Sequence, residues 1–281
     1  FIRPMKQLFV TDLDGTLLST DSRVSPESAH IISELTRQGA LITVATARTP
    51  ATVEPLLRNT LTTPPAIVMT GAALWDRKTR SYIRPRLMTP EMAAEATAAC
   101  RENGLNPMTY TIGRDNRLHV YVHGALSKKE QKFIDERTGL ELKRFHLLPA
   151  EAAPECYPDT IVIFAVGPIA QVEAAAAKIK NDTDYSIPTY PDIFDPTTGM
   201  TDIFAPGVSK AEAVLELKEL TGADELIVFG DNINDLPMMA VADRAIAVAN
   251  ALPEVRAAAH ETIGPNATDS VARYIAENFR G

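Results

Sequence analysis

The stretch Leu8-Phe9-Val10-Thr11-Asp12-Leu13-Asp14-Gly15-Thr16-Leu17-Leu18 decides how the rest of the chain is read. Apolar and β-favouring residues run straight into a pair of aspartates and a Gly-Thr turn. A short run ending this way predicts a buried strand with a loop at its carboxyl end, which is where open α/β sheets bind ligands. Side chains two apart share a face only while the strand stays extended, and Gly15 predicts that the chain turns there. Both carboxylates then reach the rim of one crevice. At about 4 Å and an effective dielectric near 20 they repel by roughly 4 kcal/mol, so a cation or a shared proton has to be nearby. Mg2+ among hard oxygen ligands meets that need. A plain Asx turn after a strand carries the same letters, and the stretch alone leaves both readings open.

Downstream, Ser25-Pro26-Glu27 sets an N-cap serine before a proline at the first helical position. Ile31, Ile32 and Leu35 form the stripe of that helix, and Gly39 ends it. Leu41-Ile42-Thr43-Val44-Ala45 is a second buried strand, completing a strand–helix–strand crossover. It ends in Thr46-Ala47-Arg48, so Thr46 stands to its strand as Asp12 stands to the first. Alone, Thr46 reads better as a β-favouring residue capping the helix near Pro50. Ile67-Val68-Met69-Thr70 is a third strand closed by Gly71, and the polar, basic run from Asp76 to Arg84 marks the exit from a first domain.

From there to Thr197 the chain has its own alternation of helices and strands. Thr89-Pro90-Glu91 caps a helix ending at Asn103-Gly104. Leu118, Val120 and Val122 alternate with polar residues as in a half-exposed strand, pairing with 108–112 across Gly113–Asn116. A polar helix over Ser127–Arg137, a buried strand at Ile161–Val166 and an Ala-rich helix over Gln171–Lys180 follow, giving a compact α+β module. His119, His123 and His146 have no zinc spacing and read as solvent-facing. Arg114 and Arg117 read as solvated charges.

Thr201-Asp202-Ile203-Phe204 begins the return. Ser209-Lys210-Ala211-Glu212 is a capping-box pattern that makes Lys210 the first helical residue. A cation there opposes the helix dipole, and such a local misfit points to an anion nearby. Glu225–Phe229 is the most strand-like run of this half, and it ends in Gly230-Asp231-Asn232-Ile233-Asn234-Asp235. Asp231, Asn234 and Asp235 can all offer oxygens to a cation; an Asx-rich loop with Asp235 as helix cap is the plainer reading. Ala245–Val248 is a last strand, Pro253–Ala259 a short helix, and Asp269-Ser270 caps a closing helix with its stripe at Val271, Ile275 and Phe279.

Asp12–Leu18 (DLDGTLL) resembles the first motif of the haloacid dehalogenase-like superfamily, most of whose members are phosphohydrolases. Thr46 matches its second motif, Gly207–Lys210 (GVSK) its third and Gly230–Asp235 (G-D-x-x-N-D) its fourth, in the family's order and over essentially the whole chain. The pattern is similar to the Cof-type, type IIB capped branch, although Ala47 stands where that branch usually has glycine. The resemblance implies an α/β fold: a Rossmann-like doubly wound parallel sheet core over residues 1–80 and 198–281, with an inserted α+β cap over 81–197. It implies a Mg2+-dependent phosphatase for a small phosphate monoester, mostly sugar phosphates in this branch. Asp12 would be the nucleophile that forms an aspartyl-phosphate, and Asp14 the acid and then the base. Thr46 and Lys210 would bind the phosphoryl group, with Arg48 and Asn234 beside the substrate. The metal would fall to Asp12, the Asp14 backbone carbonyl, Asp231 and Asp235. Two rivals stand beside this: a phosphomannomutase-like phosphoryl transferase, and a non-catalytic phosphosugar-binding regulator.

Composition is consistent with a globular protein of this kind. The 281 residues are 45% hydrophobic and 23% charged, enough for well-buried cores. A net charge of −8 argues against nucleic acid or acidic membrane as partner and leaves a small phosphorylated metabolite, bound by a monomer or small homo-oligomer. Cys100 and Cys156 lack CxxC spacing and read as buried or free thiols, which favours a cytoplasmic setting. Neither a spanning run nor the apolar core of a secretory signal is expected.

Overall fold

The computed structural model describes residues 5–152, 157–192 and 195–281, with Asp182 by its backbone alone. Cys156 and the four residues before Met5 lie outside them. The chain forms two compact units, one from Phe1–Arg84 and Ser209–Gly281, the other from Pro85–Val208.

The first arm runs β1 (Gln7–Thr11), α1 (Pro26–Arg37), β2 (Leu41–Val44), α2 (Pro50–Leu57), β3 (Ala66–Val68) and the hairpin β4 (Ala73–Asp76) to β5 (Ser81–Ile83). Ser25 caps α1 by accepting from Ser28 N at 2.9 Å, and Gly39 follows its end at φ +99°. Every residue of β1 is buried, and β2 lies parallel beside it with Leu41 opposite Leu8. The third strand, expected to reach Thr70, stops at Val68. Met69 and Thr70 take positive φ, 49° and 58°, and Thr70 N turns back to Thr46 O at 3.0 Å. The segment read as the exit is paired almost to the division between the units: Leu74 and Trp75 lie in antiparallel register with both β3 and β5, and Trp75 is buried with its Nε1 donating to Glu54 at 2.7 Å. Arg77, Lys78 and Arg80 mark the turn between the two strands, and Arg84 ends this arm of the first unit.

The second unit contains α3 (Pro90–Glu102), β6 (Met108–Ile112), β7 (Leu118–His123), α4 (Lys128–Asp135), β8 (Lys143–Leu148), β9 (Thr160–Pro168), α5 (Ile169–Asp182), β10 (Thr189–Pro191) and β11 (Thr198–Ile203). Its sheet has the order β10-β11-β9-β6-β7-β8. Ala96, Cys100, Ile163, Ala165 and Val172 share one buried cluster, so α3 and α5 pack over β9. The residues read as starting the return belong here: β11 pairs antiparallel with β9, Thr201 opposite Ala165. The histidines are not simply solvated. His119 Nδ1 and His146 Nε2 lie at hydrogen-bond distance, 2.9 Å, and His123 Nε2 meets Tyr157 Oη at 2.6 Å.

The second arm runs α6 (Lys210–Thr221), β12 (Glu225–Gly230), α7 (Leu236–Val241), β13 (Arg244–Val248), α8 (Pro253–Ala258), β14 (Glu261–Ile263) and α9 (Ser270–Asn278). It completes the parallel sheet β14-β13-β12-β1-β2. From β1 the chain winds to β2, and from β12 it winds the other way to β13 and β14. Right-handed crossovers in opposite directions place helices on both faces, with α1 packed on α9 and α6 on α7. The winding reverses between β1 and β12, and the crevice of such a sheet opens at the carboxyl ends of those strands. One cap differs from expectation: Asp269 sits at φ +57° and makes no side-chain cap on α9. Its Oδ1 accepts from Ser25 and from Ser28 Oγ, joining α9 to α1. Phe279 lies beyond that helix, and Tyr274 joins the buried stripe in its place.

Candidate active site

Asp12 follows β1 directly, and its N–H donates to Phe229 O at 3.0 Å, tying the strand end to β12. The chain then makes a wide turn, closed by Leu17 N on Asp12 O at 3.2 Å and Leu18 N on Leu13 O at 2.8 Å. Gly15 is required twice over. It sits at φ +80°, and a Cβ there would lie 2.3 Å from Asp231 Oδ2. Thr16 Oγ1 donates to Asp231 Oδ1 at 2.8 Å, and Asn250 Nδ2 donates to Gly15 O at 2.8 Å. The turn and the β12 loop therefore hold each other in place.

Lys210 explains the misfit at the start of α6. Its side chain is 1% exposed, and Nζ donates to Asp12 Oδ1 at 2.6 Å and to Asp235 Oδ1 at 2.7 Å. Asp235, 0% exposed, also accepts on Oδ2 from Asp231 N at 3.0 Å and Asn232 N at 3.1 Å. Burial opposes a charged lysine, but Asp12 and Asp235 hold its amine above the ordinary range. Burial likewise pushes the Asp12 carboxyl up, against the pull of Lys210, and pushes Asp231 up to about 6.

Asp12, Asp231 and Asp235 each bring an oxygen within 4.8 Å of the others. Fully ionised, they outweigh the lysine by two charges, and the donors are carboxylate oxygens throughout. That donor set fits a hard divalent cation. The Asp14 carboxylate stands apart from it, gripped at both oxygens by Arg48 Nε and Nη2, each at 2.6 Å. The aspartates two apart thus diverge after the turn, and their mutual repulsion is relieved by separation as well as by counter-charge. Thr46 is buried at the end of β2, its Oγ1 accepting from Arg48 N at 3.1 Å, and Asn234 is exposed. Thr16 and Asn250 were not among the expected residues. Thr16 was visible beside Asp14 and Gly15, and Asn250 follows a strand end, the same position that singled out Asp12 and Thr46.

The sequence profile of the haloacid dehalogenase-like hydrolases matches residues 9–275. The pyridoxal phosphate phosphatase YbhA of Escherichia coli is 23% identical over 282 residues, covering 96% of this chain and 97% of its own. The 5-amino-6-(5-phospho-D-ribitylamino)uracil phosphatase YitU of Bacillus subtilis is 22% identical, covering 97% of each chain. Among solved structures, a haloacid dehalogenase-like hydrolase from Bacteroides thetaiotaomicron superposes with a TM-score of 0.77 at 20% identity, over 98% of this chain and 100% of that one. The HAD subclass IIB sugar phosphatase BT4131 gives 0.71 at 19%, over 97% and 98%. The chain belongs to the haloacid dehalogenase-like hydrolases, in their Cof-type branch. Within that class it is a phosphoric monoester hydrolase. Among the described residues no helix is long and apolar enough to cross a membrane.

Proposed function

We propose that this protein hydrolyses a small phosphate monoester, of the sugar phosphate class, by transferring the phosphoryl group to Asp12 and from there to water. The observation that carries this reading is the lysine shared between Asp12 and Asp235 beside Asp231. Lys210 fixes Asp12 through Oδ1, which leaves Oδ2 to attack phosphorus. The ester P–O bond breaks as the Asp12–phosphorus bond forms, and the leaving alkoxide takes a proton from Asp14. Asp14 faces Arg48 at both oxygens, so that service starts with release from the guanidinium and uptake of a proton from solvent. Asp14 then takes the proton of the water that opens the acyl phosphate. Thr46 and Lys210 donate to phosphoryl oxygens, and Arg48 and Asn234 flank the substrate. Asp12, Asp231 and the backbone carbonyl of Asp14, with Asp235 beside them, would hold Mg2+, which would supply the charge that lets an anionic nucleophile meet an anionic ester.

We assign the inserted unit, Pro85–Val208, the choice of leaving group. We place the enzyme in the cytoplasm, which suits the free, buried thiol of Cys100. Relatives named for pyridoxal phosphate and a phosphoribityl uracil show that the leaving group varies within the family. Asp12→Asn tests the nucleophile. With Mg2+ and p-nitrophenyl phosphate the variant is expected to be inactive while keeping its circular dichroism and melting temperature. Retention of more than a few per cent of the rate would refute the assignment. A screen of phosphorylated metabolites by kcat/KM then names the substrate.

A further inference from the structure

The first unit carries a second recess, a groove of about 520 Å³ lined by residues of the α1 end, the segment after α2 and the β4–β5 turn. These segments lead into β2 and β3 or leave β4, whereas Asp12 and Thr46 follow the carboxyl ends of β1 and β2. In a parallel sheet that places the groove and the catalytic cluster at opposite edges.

The groove is basic on an acidic chain. Arg37, Arg58, Arg77 and Lys78 line it against the single acid Asp76, although the whole protein carries a net charge of −8. Arg37 pairs with Glu34, and Arg77 lies 3.5 Å from Glu54. Asp76 Oδ1 is taken up by Lys78 N at 2.8 Å and Thr79 N at 3.2 Å. Arg58 and Lys78 have no ion pair among the described residues. Helix ends favour cations, which accounts for Arg37 and Arg58 but not for Lys78.

Thr62 Oγ1 accepts from Arg77 Nη1 at 3.0 Å, which leaves its own hydrogen to donate. The walls are fixed before any ligand arrives. Leu61 N donates to Ser33 Oγ at 2.9 Å, Thr36 Oγ1 donates to Leu61 O at 3.1 Å, and Arg77 Nη2 donates to Leu57 O at 2.7 Å.

We propose that this groove is a binding site for a small, multiply charged oxyanion of the phosphate class. Arg58 and Lys78 supply charge and the hydroxyl of Thr62 supplies a directed donor. The site is independent of the catalytic reading, since no residue is shared. Calorimetric titration in EDTA isolates it, because the carboxylate cluster without a cation repels phosphate. The probes are inorganic phosphate, pyrophosphate and glucose 6-phosphate. Wild-type protein is expected to bind at least one of them in the millimolar range or tighter. Arg58→Glu/Lys78→Glu should weaken that binding by about tenfold or more, with kcat and KM for p-nitrophenyl phosphate unchanged. Thr62→Val, which keeps every charge, should weaken it as well. Tighter binding of the free anions or of the sugar ester tells which source of phosphate the groove takes. No binding by wild type overturns the proposal, as does equal binding by the charge-reversed protein with an unchanged melting temperature. Equal binding by Thr62→Val overturns it too, by referring the affinity to diffuse charge.

Discussion

Gly15→Ala tests whether the position of Asp231 governs catalysis. The added Cβ would stand 2.3 Å from Asp231 Oδ2 and 2.8 Å from its Cγ, where contacts under 3.0 Å are essentially never tolerated. The carboxylate must therefore retreat by about 0.7 Å, the difference between 3.0 and 2.3 Å. That shift draws Oδ1 away from Thr16 and spoils the spacing of the three carboxylates. A displacement on the order of 1 Å costs about a hundredfold in rate. Alanine at φ +80° adds about 1 kcal/mol of backbone strain, which has to be separated from the displacement. Gly39→Ala provides the control, since Gly39 has φ +99° and a methyl added there meets nothing within 4 Å. The assay is p-nitrophenyl phosphate hydrolysis over a Mg2+ titration, with thermal unfolding of both variants. Both should lose similar stability. Only Gly15→Ala should lose about two orders of magnitude in kcat and need more Mg2+. Equal activity of the two variants would refute the reasoning.

Three further outcomes are expected. Lys210→Ala leaves Asp12 and Asp235 buried without counter-charge, so urea unfolding should show a loss of about 3–5 kcal/mol, and the rate should fall about 10²–10³-fold; a folded, fully active variant would detach the lysine from the chemistry. Dialysis against EDTA should abolish turnover, and Mg2+ should restore it while raising the melting temperature, because the cation binds the folded cluster; an undiminished rate without metal would remove the cation from the scheme. Burial pushes the Cys100 thiol up to about 12, so in a Cys156→Ala background a disulfide reagent at pH 8 should label the protein only after denaturation. Rapid labelling of the native protein would mean that the packing of α3 against α5 opens readily.

The parts legible in the sequence are those where one local rule suffices. β1 and β12 are unbroken apolar runs that end in Asp and Gly, the pattern of strands buried on both faces, and both place carboxylates at the crevice. Lys210 was legible because it breaks a rule: a buried cation at a helix start needs a reason, and Asp12 and Asp235 are that reason. What escaped depends on register between distant segments. Lys143–Leu148 has mixed polarity, and it becomes a strand only by lying parallel to β7 with Tyr121 opposite His146. The same register brings His119 and His146 together. Thr198–Ile203 reads equally well as either unit's strand until β9 is there to pair with it. The grip of Arg48 on Asp14 spans two loops and leaves no trace in spacing. Met69 and Thr70 favour strands, and the bond from Thr70 N to Thr46 O overrides that preference.

The point at which the chain re-enters its first unit has a consequence for how the protein tolerates change. The crossing falls between Val208 and Ser209, and Ser209 is the cap of α6, whose first residue is Lys210. The junction and the ammonium are neighbours on the same few bonds. Lengthening a distant loop of the inserted unit leaves the amine where it is, while adding or deleting one residue among Gly207, Val208 and Ser209 rotates the helix start and carries the amine off its two aspartates. The distant loops of the insert are therefore freer to diversify than the stitch that returns the chain to the core.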